Sequence, residues 1–149
     1  MDVTEQLKAF LHDVTSAMGL ELEVHVEPRE DHVRVNLEGA GGELLLRRKA
    51  EALDALQHIV NTAFRRGAQA DQHFVVDCLG YRRDKEAELK QMTQFLMDRA
   101  KTTRDPQEIG PLNPFHRRLV HLMVAEDPAL SSESVGDAFV KTVVISVKR

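Results

Sequence analysis

The sequence has no tryptophan, a single cysteine and few aromatic residues, which make up 5% of its 149 positions. The cysteine, Cys78, sits inside the apolar run FVVDCLG, so we expect a reduced core residue rather than a catalytic thiol. No run of 18 apolar residues occurs, and we therefore expect no membrane-spanning helix. The first ten residues, MDVTEQLKAF, are acidic and polar, which is untypical of a signal or transit peptide and predicts a cytoplasmic protein.

Motifs of the common enzyme classes are also missing. The chain has no Walker loop, no HExxH helix, no paired-cysteine motif and no Gly-x-Ser-x-Gly elbow. His116 and His121 are five positions apart and would face different sides of a helix, which disfavours a shared metal ion. We expect no enzyme activity, no cofactor and no metal site.

Charge is sorted along the chain, although the total is only −4. Residues 1–46 hold three Lys or Arg and ten Asp or Glu, whereas residues 47–66 hold five and two. Residues 81–149 hold twelve and ten, a balance of +2. Because a local basic surface can bind phosphate despite an acidic total, the basic segments are candidates for contact with nucleic acid.

The first half of the sequence alternates between helical and strand-like patterns. Apolar residues at helical spacing predict a helix over 3–18, and two alternating runs, LELEVHVEP and HVRVNLE, predict a hairpin with one polar face. ELLL is expected to form one buried turn. A second amphipathic helix follows a basic loop and ends at RRGAQADQ, and HFVVDCLG reads as a buried strand. The resulting order, α-β-β-α-α-β, is complete by residue 80.

The second half predicts a separate unit of roughly α-β-α-β-β order. A long charged helix is expected over 82–103, with Leu89, Met92, Leu96 and Ala100 on its buried side. RDPQEIGPLNP reads as a turn, and Asn113 is a good N-cap for a helix over 114–125. LSSESV and FVKTVVISV read as two strands joined by GDA.

The order of elements and three motifs resemble the bacterial Jag family, also known as SpoIIIJ-associated or KhpB proteins. The matching stretches are LDALQHIVN, VVDCLGYRRDKEAEL and NPFHRRLVHLMVAEDPALSSESVG followed by KTVVI. The resemblance implies an α/β (α+β) chain: a type II KH domain over 1–80, then an Arg-x-x-x-His (R-3-H) domain over 81–149. It places a three-stranded sheet packed on helices in the second domain. It also implies a protein that binds single-stranded RNA (or single-stranded DNA), acts in post-transcriptional regulation of elongation, division or sporulation, and pairs with a small single-KH protein.

The resemblance places the Gly-x-x-Gly loop of a KH domain on Arg47, Arg48, Lys49 and Ala50. In such loops glycines let the phosphate backbone approach closely. Here Arg47 replaces the first glycine and Ala50 the second, so the loop is degenerate. Two interpretations stay open: either the cationic side chains reach phosphates themselves, or this unit serves as a protein-interaction module that no longer binds RNA.

The Arg-x-x-x-His motif is intact, with Arg117 and His121 four residues apart on the helix that begins at Pro114. A helical wheel puts the core side at Phe115, Leu119, Leu122 and Met123 and the two motif residues nearly opposite, facing outward. An arginine beside a histidine on one face suits phosphate contact. Arg118 lies toward the same surface, and Lys141 falls where the family has a basic residue that leads into the last strand.

Overall fold

A computed structural model describes residues 2–64 and 72–148 of the chain. It divides into two compact units, Met1–Arg83 and Asp84–Arg149. The described residues form four α-helices and two three-stranded sheets. In chain order the elements are α1 (Val3–Ala17), β1 (Glu23–Pro28), β2 (Val33–Glu38), a 3₁₀ helix (Gly42–Leu46), α2 (Arg47–Phe64), β3 (Phe74–Cys78), α3 (Tyr81–Thr103), β4 (Gln107–Leu112), α4 (Pro114–Ala125), β5 (Leu130–Val135) and β6 (Lys141–Val147). None of the described helices has the length and apolarity needed to cross a membrane.

The predicted hairpin is present in the first unit. β1 and β2 pair antiparallel, with Val24 opposite Leu37 and Val26 opposite Val35, so the apolar residues of the two strands share one face. β3 pairs parallel with β2 on its other side, because α2 carries the chain back across the sheet. The predicted polar segment after α2, RRGAQADQ, lies outside the described residues except for its last residue, Gln72.

The core of the first unit lies between this sheet and the helices. Leu45 of the 3₁₀ helix is fully buried, which confirms the buried turn predicted at ELLL. Ile59 was counted among the apolar residues of α2 but is exposed, because Leu56 and Val60 take the buried positions of that turn. The core consists of Leu7, Leu11, Leu20, Leu22, Val33, Val35, Leu37, Leu45, Ala50, Leu53, Leu56, Val60, Phe74, Val76 and Cys78.

A buried carboxylate, Asp77, organises the end of β3. One of its oxygens, Oδ1, accepts hydrogen bonds from the backbone N–H groups of Cys78 and Arg82, at 2.8 and 2.7 Å. The other, Oδ2, accepts from the Arg34 guanidinium at 3.0 Å and from the backbone N–H of Arg83 at 3.1 Å. Asp77 is 1% exposed, so its charge is compensated inside the protein rather than by water. The same carboxylate thereby satisfies two of the unpaired N–H groups at the start of α3.

The second unit packs α3 and α4 on a sheet with the order β4-β6-β5. The buried face of α3 is carried by Thr93, Met97 and Ala100, whereas Met92, predicted to be buried, is exposed. Leu89 and Leu96 are half-buried against the core. Thr93 can occupy the core because its hydroxyl donates to the Leu89 carbonyl at 2.7 Å and so leaves no unpaired polar group.

The prediction of a turn throughout RDPQEIGPLNP is wrong, because Gln107–Leu112 forms strand β4. It pairs with β6 through Gln107 opposite Ile145 and Ile109 opposite Val143, and the register shifts before Leu112 pairs with Lys141. Glycine and proline are typical of turns, but β4 is an edge strand, where proline is tolerated at an irregularity of pairing. The predicted α-β-α-β-β order and the helix over 114–125 are confirmed.

We expect Asp77→Ala to lower the free energy of unfolding of the first unit by about 3–5 kcal/mol, since it leaves the Arg34 charge buried without its partner. Asp54→Ala is the matched control. It removes a carboxylate that is 62% exposed and 2.8 Å from Arg82, and such surface pairs contribute at most about 1 kcal/mol. Chemical denaturation of both variants measures the difference. Equal losses would show that Asp77 does not have the stabilising role assigned to it.

Cys78 offers a second test of the first unit. Burial raises the pKa of its thiol to about 11, and the carboxylates of Asp77 and Glu43 add to the shift. At pH 8 the folded protein should therefore react slowly with a thiol-specific chromogenic reagent, and denaturant should accelerate the reaction. Because the pKa is raised in the folded state, this contribution to stability is complete below the ordinary thiol pKa of 9.0 and is lost as the pH rises toward about 11. Fast labelling without denaturant would contradict the buried position.

Candidate nucleic-acid interface

The orientation predicted for α4 is wrong. The buried residues of this helix are Val120 and Val124, and Arg117 and His121 lie on the same side, within about 100° of arc, where they are half-buried. Leu122, predicted to face the core, is 55% exposed. Bulky apolar residues misled the helical wheel, because carbonyl and hydroxyl groups of neighbouring segments satisfy the polar side chains of Arg117 and His121. The motif residues thus face the sheet edge rather than open solvent.

Arg117 joins three segments of the second unit. Its Nη1 donates to the carbonyl of Leu112, at the end of β4, and to the carbonyl of Phe139, in the loop between β5 and β6. Both distances are 2.7 Å, typical of charge-assisted hydrogen bonds. A guanidinium group has five N–H donors, so these two bonds leave three for a ligand. The cation is therefore held in one orientation before any ligand arrives.

His121 joins α4 to β5. Its Nδ1 lies 2.6 Å from the Ser132 hydroxyl, and its Nε2 lies 2.8 Å from the Ser134 hydroxyl. A neutral imidazole donates from one nitrogen and accepts at the other, and a serine hydroxyl can take either complementary role. Because successive residues of a strand face opposite sides, Ser132 and Ser134 face the same side of β5. The imidazole thus fixes how α4 lies across the strand.

Lys141 completes a cluster of cationic residues at this end of the sheet. It begins β6 and pairs with Leu112, the same residue whose carbonyl accepts from Arg117. Within the described part of the chain its ammonium group makes no hydrogen bond or ion pair. Arg118 is exposed on the first turns of α4. We call Arg117, Arg118, His121 and Lys141 the α4 cluster. Asp137, exposed in the neighbouring loop, contributes an opposing charge.

The basic residues of the first unit have an unusual backbone. Arg48, Lys49 and Ala50 are left-handed, with φ of 54°, 58° and 62°, and the right-handed part of α2 follows them. A side chain in this conformation costs roughly 1 kcal/mol relative to glycine. Arg47, predicted to replace a glycine, has an ordinary φ of −64° and needs no glycine. The strain therefore falls on the three residues after the first predicted glycine position.

The side chains of this left-handed turn point into water. Arg47, Arg48 and Lys49 are exposed, whereas Ala50 is fully buried under the start of the right-handed helix. Among the residues that the structure describes, the three cations form no hydrogen bond or ion pair with their side chains. They are thus available to an anionic partner. Whether they contact one stays a prediction.

The sequence identified the cationic residues but missed the groups that position them. Ser132, Ser134 and the carbonyls of Leu112 and Phe139 were not predicted as parts of the site. The alternation in LSSESV carried a signal, because Ser132 and Ser134 share the strand face of buried Leu130. The carbonyl acceptors have no such signal, since every residue has one. Within residues 2–64 and 72–148 no group of three or more His, Cys, Asp or Glu side chains could hold a metal ion.

Comparison with known proteins finds an R-3-H domain over residues 87–147. The whole chain is similar to proteins named RNA-binding protein KhpB. It is 27% identical to the one from Clostridium symbiosum over 142 residues, which cover 94% of this chain and 64% of that protein. It is 24% identical to the one from Bacillus subtilis (strain 168) over 151 residues, which cover 100% of this chain and 73% of that protein. The chain thus spans less than two thirds of the length of the Clostridium symbiosum protein.

The left-handed turn gives a direct test of backbone strain. We expect Lys49→Gly to raise the free energy of unfolding of the first unit by about 1 kcal/mol, because glycine adopts positive φ without a steric cost. The control is Arg47→Gly, which also removes an exposed cation but at an ordinary φ, and which should give no gain. Chemical denaturation followed by Cys78 labelling compares the two. Equal effects of both substitutions would contradict a strained turn.

Proposed function

We propose that this protein binds single-stranded nucleic acid, RNA above all, and that the α4 cluster is the principal contact. The observation that carries this proposal is the Arg117 guanidinium, which is fixed by two backbone carbonyls with three N–H donors left over. The similarity of residues 87–147 to R-3-H domains and of the chain to RNA-binding KhpB proteins supports the same role. The protein acts by binding and not by catalysis.

Within the α4 cluster the four residues have different tasks. Arg117 and Lys141 contact phosphate oxygens, and Arg118 adds attraction at the edge of the same surface. His121 contributes at the interface while its bonds to Ser132 and Ser134 hold the helix in place. Because phosphates are the main targets, affinity falls with salt and depends weakly on base sequence.

We also propose that residues 1–80 are a KH domain of type II and residues 81–149 an Arg-x-x-x-His domain. Three features support the first assignment: the order of elements, the central position of β2 between an antiparallel and a parallel neighbour, and the turn before α2. In this domain Arg47, Arg48 and Lys49 stand where glycines would let a nucleotide backbone approach. Their side chains supply a secondary, electrostatic contact to the strand.

The cellular role follows from similarity alone. We propose a cytoplasmic post-transcriptional regulator or RNA chaperone, linked to cell elongation, division or sporulation. An observation in the first unit favours a further role in protein interaction, with a small single-KH protein as partner. The outer face of α2 has a shallow groove lined by His58, Ile59, Thr62 and Ala63, and Ile59 is 46% exposed there. An apolar residue in a surface groove is typical of a docking site.

Arg117→Ala tests the phosphate contact. Titration of a labelled 12-residue pyrimidine RNA at several salt concentrations should show weaker binding and a salt slope reduced by about 0.7, the value for one phosphate contact on a single strand. Arg99→Ala is the control, since Arg99 is exposed on α3. It lies two residues before Lys101, whose ammonium contacts Asp127 beyond the far end of α4. The control should bind as the wild type does.

A second pair of variants guards against loss of folding, because Arg117→Ala also removes two structural hydrogen bonds. Lys141 begins β6 and Lys148 directly follows it, and in the described structure neither side chain has a hydrogen-bonding partner. Lys141→Ala should reduce the salt slope, and Lys148→Ala should leave it unchanged. If all four variants bind RNA with the affinity and slope of the wild type, the α4 cluster is not the interface.

A further inference from the structure

The loop between β5 and β6, residues 136–140, carries an aromatic side chain that the fold does not use. Phe139 is 74% exposed, more than any other large apolar side chain in the described residues. Turns of this length favour glycine, asparagine, aspartate and serine, and the loop already has Gly136 and Asp137. The hairpin therefore does not require a phenylalanine. Leaving this ring in water forgoes the stabilisation that its burial would provide.

The other phenylalanines show the contrast. Phe10, Phe64 and Phe74 pack edge to face in the first unit, with centroids 5.7 and 6.5 Å apart. Phe115 packs on the ring of His116. Within the part of the chain that the structure describes, the Phe139 ring packs on no other ring. Both faces of this ring are thus accessible to a planar ligand.

The backbone of Phe139 is held where the nucleic acid is proposed to lie. Its carbonyl accepts the 2.7 Å hydrogen bond from Arg117, and Lys141 follows two residues later. In a single strand each base is joined to its phosphate through one sugar. A ring fixed beside a phosphate-binding guanidinium is therefore well placed to meet a base. Surfaces that bind single strands combine these two elements, cations for the backbone and aromatic rings for the bases.

We propose that Phe139 is a stacking platform for one nucleobase of the bound strand, next to the phosphate held by Arg117. This inference rests on the proposed function and adds a contact to bases where the α4 cluster provides contacts to phosphates. Because every base has a π face, the platform accepts all four bases and keeps sequence preference low. The cations on either side of Phe139 in the fold favour a polyanion over an apolar protein surface as the occupant.

The absence of tryptophan from the chain makes a direct test possible. Phe139→Trp introduces a single fluorophore at the platform, and Phe95→Trp introduces one at a different phenylalanine, which is 58% exposed on α3. Addition of a 12-residue oligoadenylate RNA should quench the fluorescence of the Phe139→Trp variant with the same midpoint as binding. An abasic deoxyribose-phosphate strand of equal length should bind without quenching. The fluorescence of the Phe95→Trp variant should stay constant with both strands.

Affinity provides the second readout. Phe139→Ala should weaken binding of the oligoadenylate about five- to hundredfold, the usual effect of losing one aromatic platform. The salt slope should stay that of the wild type, because no charge is removed. Phe139→Leu, which keeps apolar bulk without a ring, should weaken binding similarly. Phe95→Ala should bind as the wild type does.

The outcomes separate the two proposals. If the wild type does not bind RNA, both the proposed function and the platform are wrong. If binding depends on Arg117 but Phe139→Ala binds like the wild type and the Phe139→Trp variant is not quenched, the platform alone is overturned, and the exposed loop is left for a protein partner. If Phe139→Leu keeps full affinity, the contact is apolar rather than a stack, and the proposal is also overturned.

Discussion

The paired hydrogen bonds of Arg117 are the constraint on which the candidate interface depends. They tie the first turn of α4 to the end of β4 and to the β5–β6 loop, which is distant from both in sequence. The position of the cation is consequently set by the fold of the whole unit, not by the rotamer of a free surface side chain. His121 acts in the same direction one turn later, through two serines of β5. Such preorganisation lowers the entropy lost when a flexible strand is bound.

Most of the fold could be predicted from periodicity, because each amphipathic element faces a single core. The hairpin, the buried strand β3 and the helix over 114–125 were predicted in this way. Periodicity failed where a polar group is satisfied locally or a strand lies at an edge. Thr93 enters the core by bonding the carbonyl one turn back, and β4 tolerates a proline because it pairs on one side only. Neither circumstance leaves a mark in an apolar pattern.

The residue types of the candidate site could be predicted, but their environment could not. Arg117 and His121 stood out by spacing, yet the wheel placed them opposite the core because it weighed Leu122 above Val120. The orientation of α4 depends on acceptors supplied by β4, β5 and a loop, and these acceptors become neighbours only after folding. Phe139 was missed for a related reason. An exposed ring is noticeable only when the packing of the other rings is known.

The left-handed turn before α2 has a consequence for how this chain can change. At Arg48 and Lys49, sequence drift toward glycine would raise stability and would at the same time delete a positive charge. The two properties are thus opposed at the same residues, in the manner of strained functional sites elsewhere. Long cationic side chains can persist there only if something other than folding favours them. The backbone geometry of this turn is therefore a physical argument that its charge has a use.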